Sequence, residues 1–196
     1  MIDTRDENVE IELKILVQDE EAFTRYLEEH TTFIKEEMIE DTYFENPDYP
    51  FLYIDEKGLK NAKKRLRVRK SNSGDTINFK EKVFGEKEQF LYSNEIEEKL
   101  TSGEQMIKIL ESLGFVTSCH YHKTRKVYHT ENFEFDVDLI DVLGMVVEIE
   151  YQGKLDDLKN GIDMIRNFLK EIHITNYIEV RTTYPEILWN GMDCYL

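Results

Sequence analysis

Charged residues that alternate along extended stretches carry the chemistry of this chain. In Val9-Glu-Ile-Glu-Leu-Lys14, a strand would turn Glu10, Glu12 and Lys14 to one face and Val9, Ile11 and Leu13 to the other. Phe133–Leu139 and Met145–Glu150 do the same with Asp136 and Asp138, and with Glu148 and Glu150. Arg65–Arg69 and Thr76–Lys82, joined through Ser71-Asn-Ser-Gly-Asp75, read as a hairpin. One of its faces collects Arg65, Arg67, Arg69, Asn78, Lys80 and Lys82, and the other Leu66, Val68, Ile77 and Phe79. Lys123 and Arg125 alternate further along. Several like charges on neighbouring strands repel unless an anion lies between them, so the basic face suits an anion. Carboxylate oxygens suit hard cations such as Mg2+ or Mn2+, which keep room for phosphate oxygens. Lysine and arginine supply the remaining phosphate donors, arginine in bidentate fashion. The two sets together specify a metal-bound oligophosphate.

A single Glu-x-Glu strand is most simply a solvated face. Repetition changes that reading. Glu95-Ile-Glu-Glu-Lys99 returns 85 positions after Glu10, and at the same offset a predicted helix over Glu104–Phe115 falls on one over Asp19–His30. Lys123–Tyr128 likewise falls on Met38–Tyr43. Two similar halves are therefore expected, about 9–82 and 94–150, followed by a helical segment over 155–196, all in one domain of residues 1–196. A strand over Ile39–Phe44, a polar turn-rich stretch from Asp48 to Asn61, a helix over Leu155–Glu171, an extended Asn176–Arg181 and a short helix around Tyr184–Trp189 complete the plan. About eight strands with helices outside predict an α+β fold, an antiparallel eight-stranded barrel whose charged faces turn inward. Burying Lys14, Arg67, Arg69, Lys80, Lys82, Lys123 and Arg125 opposite Glu10, Glu12, Asp136, Asp138, Glu148 and Glu150 would be costly without ligands, at several kcal/mol for each desolvated ion.

Composition sets the outer bounds. The 196 residues are 34% charged and 40% hydrophobic, a globular balance, and the net charge of −16 argues against a nucleic-acid surface. No run approaches a membrane span, and the acidic start lacks the basic and apolar regions of a signal peptide, so the chain is expected in the cytoplasm. Cys119 and Cys194 form no spaced set and read as single thiols. On a regular strand His122 faces outward, where surface or packing roles are commoner than metal binding. Tyr43 and Tyr128 read as packing residues, and Glu95 as one partner of a supporting ion pair.

These residues resemble the CYTH, or triphosphate tunnel metalloenzyme, superfamily, which includes class IV adenylyl cyclases, thiamine triphosphatases and inorganic triphosphatases. The resemblance rests on Glu10-Ile-Glu-Leu-Lys14, Asp41-Thr-Tyr-Phe44, Leu66-Arg-Val-Arg69, Ile109–Phe115, His122-Lys-Thr-Arg125 and Asp138 through Leu143–Glu150, in the expected order, with the cyclase branch nearest. It implies Mg2+ or Mn2+ held by Glu10, Glu12, Asp138, Glu148 and Glu150. It also implies a triphosphate held by Lys14, Arg67, Arg69, Lys80, Lys123 and Arg125, with Lys82 and Glu97 as weaker candidates. Glu10, Glu12, Lys14 and Lys80 would be catalytic. The substrate would be a small triphosphate, inorganic or carried by a nucleoside or thiamine. Ser93 or Asn94 stands where cyclase-like members tend to have a basic residue, which weakens the case for cyclisation. Three readings stay open: triphosphate hydrolysis, placed slightly first; conversion of ATP to cyclic AMP and pyrophosphate; and a binding module without turnover. Whether two chains pair through their outer faces stays open as well.

Overall fold

The computed structural model describes residues 11–84, 90–152, 160–191 and 194. Their elements run β1 (Glu12–Val17), α1 (Glu20–His30), β2 (Thr32–Glu45), β3 (Leu52–Ile54), β4 (Lys60–Ala62), β5 (Lys64–Ser71), β6 (Asp75–Phe84) and β7 (Phe90–Leu100). There follow α2 (Gly103–Ser112), β8 (Val116–His129), β9 (Phe133–Ile140), β10 (Gly144–Tyr151), α3 (Gly161–Glu171), β11 (Tyr177–Glu179) and α4 (Tyr184–Asn190). Three of these eleven strands are three-residue pieces, so eight long strands remain, as the sequence predicts. The class is α+β, with antiparallel pairing wherever a strand register is defined among the described residues. The order strand, helix, 14-residue strand occurs twice, as β1-α1-β2 and β7-α2-β8.

The chain forms two compact units. The first takes the described residues of Met1–Glu36 and Arg125–Arg181, the second those of Glu37–Thr124 and Thr182–Leu196. Each unit draws on strands from both sequence halves.

In the first unit the strand order is β11-β1-β10-β9. Alternation sorts each strand cleanly. Leu13, Ile15 and Val17, Met145, Val147 and Ile149, and Phe133, Phe135 and Val137 all point into one core with Phe23 and Leu27 of α1 and Ile165 and Leu169 of α3. Full burial of one such side chain contributes roughly 1.5–3 kcal/mol. Asp19 caps α1 by accepting from the Ala22 N–H at 3.0 Å, and Glu20 and Glu21 occupy the first turn, where the helix dipole favours anions. α3 begins against β1 at Gly161, where a Cβ would come within 2.6 Å of Ile11 Cδ1. The first part of the helix predicted over Leu155–Glu171, residues 155–159, lies outside the described residues, as do Glu10 and residues 85–89.

In the second unit β8, β2, β5, β6 and β7 follow one another in the sheet. Phe44, Val68 and Leu110 are buried together, and Leu66, Ile77, Leu100, Met106 and Ile107 pack on them, so α2 covers the apolar face of the basic hairpin. Leu113 closes α2, and Gly114, at φ +89°, takes the left-handed turn that a glycine accepts without strain.

β8 begins at Val116, seven residues before the predicted Lys123, and the structure differs from expectation at two further places. β2 begins at Thr32, seven residues before the predicted strand, because Thr32–Glu36 is exposed and shows no apolar alternation to read. The stretch Asp48–Asn61, expected as a connection, contains the β3–β4 hairpin. Its turn is built by Asp55, which accepts from the N–H groups of Lys57 and Leu59, each at 2.9 Å, and from the Asn61 side chain. Cys119 is buried, Cys194 exposed, and both are free thiols. Among the described residues no helix is long and apolar enough to cross a membrane.

Candidate metal and phosphate sites

Strand register assembles the acidic site of the first unit. β1 pairs with β10 and β10 with β9, so Glu12, Glu150 and Glu134 form one row across three strands, and Lys14, Glu148 and Asp136 the next. Asp138 lies on the same face one step further along β9, opposite Val146. Glu12, Glu134, Asp136, Glu148, Glu150 and Arg125 line a cavity of about 260 Å³.

Arg125 ties the acids together. Its Nε and Nη2 donate to the two oxygens of Asp138, each at 2.6 Å, while Nη2 also reaches Glu148 at 2.8 Å and Nη1 reaches Asp136. Asp138 is fully buried and gives both oxygens to this fork. Lys14 holds the other oxygen of Glu148 at 2.8 Å. The acids respond differently. Burial alone would raise Glu148, but Lys14 and Arg125 outweigh it and hold the carboxyl low. Asp136 goes the other way: burial, with the charges of Asp138, Glu148 and Glu134 added, outweighs Arg125 and pushes it up to about 6. Five carboxylates thus gather around one guanidinium in this cavity. Clustered hard oxygen donors are what a divalent cation such as Mg2+ or Mn2+ fits.

The second unit carries the basic face. Arg65 stands opposite Lys80, Arg67 opposite Asn78 and Arg69 opposite Thr76 in the β5–β6 register. Internal carboxylates meet part of this charge. Asp41, fully buried on β2, takes Arg69 in a bidentate pair with both contacts at 2.8 Å, accepts from the Tyr121 hydroxyl at 3.1 Å and lies 3.9 Å from Arg67 Nε. Burial would raise Asp41, but the Arg69 hydrogen bonds and the charges of Arg67, Arg69 and Lys123 hold it below the ordinary carboxylate range. Lys80 pairs with Glu95 at 2.9 Å, the supporting ion pair expected for Glu95, and Arg67 approaches Glu97 at 3.6 Å. Lys123 is buried, its ammonium 5.1 Å from the centre of the Tyr184 ring. Tyr43 stacks on Tyr121, and Tyr128 belongs to the core of the first unit, so both named tyrosines pack as expected. Among the described residues, buried Arg65 Nη1 and Arg67 Nε have no hydrogen-bond partner. Buried donors are nearly always paired in folded proteins, so two orphans on one basic face mark the place of an acceptor.

Lys82 meets Glu186 at 3.4 Å. Glu186 is 3% exposed and closes the capping box of α4, accepting from Thr182 Oγ1, the Thr183 N–H and Thr183 Oγ1. Burial would raise it, but the Thr182 bond, the Lys82 charge and the Thr183 bonds bring it down to about 2. A folded-state pKa below the unfolded value of about 4.3 contributes stability that is complete above that value and is lost as pH falls through the folded one. Glu186→Gln is therefore expected to cost about 2–3 kcal/mol at pH 7 and to flatten the acid limb of the stability curve between about pH 5 and 2. Urea unfolding across that range reads both.

Of the predicted ligands, the structure brings Glu12, Glu148, Glu150 and Arg125 to the cavity, with Lys14 paired to Glu148 and Asp138 holding Arg125. Glu134, Arg65, Asp41 and Tyr121 belong to the sites without having been assigned roles from sequence. Three of them stand in alternation with assigned neighbours: Glu134 precedes Asp136 by two, Arg65 precedes Arg67 by two, and Tyr121 precedes Lys123 by two.

Comparison with known proteins gives consistent matches. A family model described as the CYTH domain matches residues 8–184. A Methanocaldococcus jannaschii protein named "putative adenylate cyclase" is 26% identical over 185 residues, covering 91% of this chain and 98% of its own. A Pyrococcus horikoshii structure is 26% identical with a TM-score of 0.64, covering 92% of this chain and 98% of its own. A Hippeastrum structure, of a "putative adenylyl cyclase" described as having a dominant triphosphatase activity, superposes with a TM-score of 0.59 at 17% identity, covering 91% of this chain and 94% of its own.

Proposed function

Because the chain belongs to the CYTH domain family, we propose that it is a divalent-metal-dependent enzyme acting on a small triphosphate, with hydrolysis as its main reaction. The observation that carries this reading is the five-carboxylate cavity around Arg125, where burial and the neighbouring carboxylates push Asp136 up to about 6. In this reading Glu12, Glu134, Asp136, Glu148 and Glu150 hold Mg2+ or Mn2+, together with Glu10, which the resemblance adds. The bound ion would neutralise charge on phosphate oxygens and lower the pKa of a coordinated water.

The protein's own groups divide the remaining work. A guanidinium has five N–H donors, and Arg125 commits four hydrogen bonds to Asp136, Asp138 and Glu148, so it chiefly orients the acids and has little left for phosphate. Asp138 acts behind it as the residue that fixes its fork. Lys14 orients Glu148 and lends positive charge beside it. Arg65 and Arg67, with their orphaned donors, are the strongest phosphate contacts, and Arg69, Lys80 and Lys123 supply further positive charge. Lys82, held by Glu186, contributes least. Catalysis of this kind is positioning and charge stabilisation, since phosphoryl transfer asks for little covalent chemistry from the protein.

Hydrolysis is preferred because it needs only bound phosphates and water, whereas cyclisation also needs a pocket that folds the ribose hydroxyl onto the α-phosphate. Cyclisation is the second reading, supported by the name of the M. jannaschii relative, which is matched over 98% of its length. Incubation with ATP and Mg2+ or Mn2+, followed by product identification, separates the two. Inorganic phosphate and a shortened nucleotide are expected; cyclic AMP with stoichiometric pyrophosphate as the main product would overturn the preference.

A further inference from the structure

The second unit has a set of metal-ligating side chains that the triphosphate reading does not use. His120 and His122 stand two residues apart on β8, so alternation brings both to one face while Tyr121 and Lys123 turn to the other. Both imidazoles are exposed. Their Nε2 atoms lie 3.2 Å apart with the ring planes at 90°. On the neighbouring strand β2, Glu40 offers a carboxylate oxygen, and the three ligand atoms lie within 4.8 Å of one another. Thr42, two residues further along β2, places its hydroxyl 3.1 Å from His120 Nδ1.

Two features of this arrangement point to a cation. Tetrahedral zinc binds imidazole nitrogen at about 2.0–2.1 Å, which puts two such nitrogens roughly 3.3 Å apart, close to the separation found here. In addition, when His120 Nδ1–H donates to Thr42 Oγ1, the lone pair of Nε2 is left to face His122. A hydrogen bond at the far nitrogen fixes the tautomer of metal-bound histidines in this way. Two imidazoles with one carboxylate select a borderline transition-metal ion over the hard Mg2+ and Mn2+. Lys70 holds one oxygen of Glu40 at 2.8 Å, which orients the carboxylate and leaves its second oxygen for a metal.

We propose that His120, His122 and Glu40 form a zinc-class site on the outer face of β8 and β2, with water in the fourth position, chemically separate from the carboxylate cavity. The test uses the whole chain in excess Mg2+, which occupies hard-oxygen sites, with zinc titrated in and its retention and affinity measured. About one zinc per chain is expected, with the imidazole nitrogen resonances of both histidines shifting at Nε2. His120→Gln and His122→Gln should each weaken zinc binding at least about tenfold, and Thr42→Val by about tenfold. Zinc should raise the melting temperature of the wild type and of Glu148→Gln, but not of the histidine variants, whose metal-free melting temperatures stay at the wild-type value. Zinc affinity unchanged in both histidine variants, or no zinc retained by the wild type in Mg2+, overturns the proposal.

Discussion

Arg125→Ala is expected to lower the stability of the chain by about 3–5 kcal/mol in metal-free buffer, the usual cost of removing one partner from a buried ion cluster. The size follows from what the guanidinium leaves behind: Asp138 with no solvent contact and without its bidentate partner, and Asp136 and Glu148 beside it with one cation fewer. Arg125→Lys should recover part of the loss, because it restores the charge without the fork that grips both oxygens of Asp138. Mn2+ should stabilise the alanine variant more than the wild type, since added positive charge is worth most where a cation is missing. Urea unfolding of the three proteins with and without Mn2+ measures each of these. A loss under about 1 kcal/mol for Arg125→Ala would mean that the acids are not organised by this residue.

Glu148→Gln tests the chemistry of the acidic cavity. The amide keeps the shape of the side chain at the centre of the Lys14, Glu148 and Asp136 row but withdraws one negative charge. Turnover of triphosphate should fall about 10²–10³-fold, the scale seen when one preorganised electrostatic group is lost from an active site. If Glu148 acts as a ligand, the residual activity requires more Mn2+ for half-saturation than the wild type does. A loss of turnover with an unchanged Mn2+ requirement would instead assign Glu148 to orienting Lys14 and Arg125.

The strand faces were legible because alternation is local. Residues two apart share a face whatever the fold, so Val9–Lys14, Phe133–Leu139, Met145–Glu150 and the Arg65–Lys82 hairpin could be sorted into charged and apolar sides directly. The repeat was read from the sequence because Glu95 and the helical pattern of Glu104–Phe115 stand at one offset from Glu10 and from Asp19–His30. Partnerships across the sheet were not, because they depend on which strands become neighbours. Asp41 neutralises Arg69 from 28 positions away, and Glu186 reaches Lys82 from 104 positions away. Nothing near either acid in the sequence marks it as buried. The assignment of Arg125 to phosphate came from its type and its place beside Lys123, whereas its three acidic partners follow from the packing of β8, β9 and β10. His122 was read as outward-facing, and both it and His120 are exposed, but the nearness of Glu40 required the neighbouring strand.

Release of phosphate from inorganic triphosphate, measured for the wild type and Glu148→Gln side by side in Mn2+, in Mg2+ and after chelation, tests the account most directly. Metal-dependent release by the wild type, abolished by chelation and reduced about 10²–10³-fold in the variant, is the predicted result. No turnover of inorganic triphosphate or any nucleoside triphosphate with either metal, or full activity in Glu148→Gln, would contradict it.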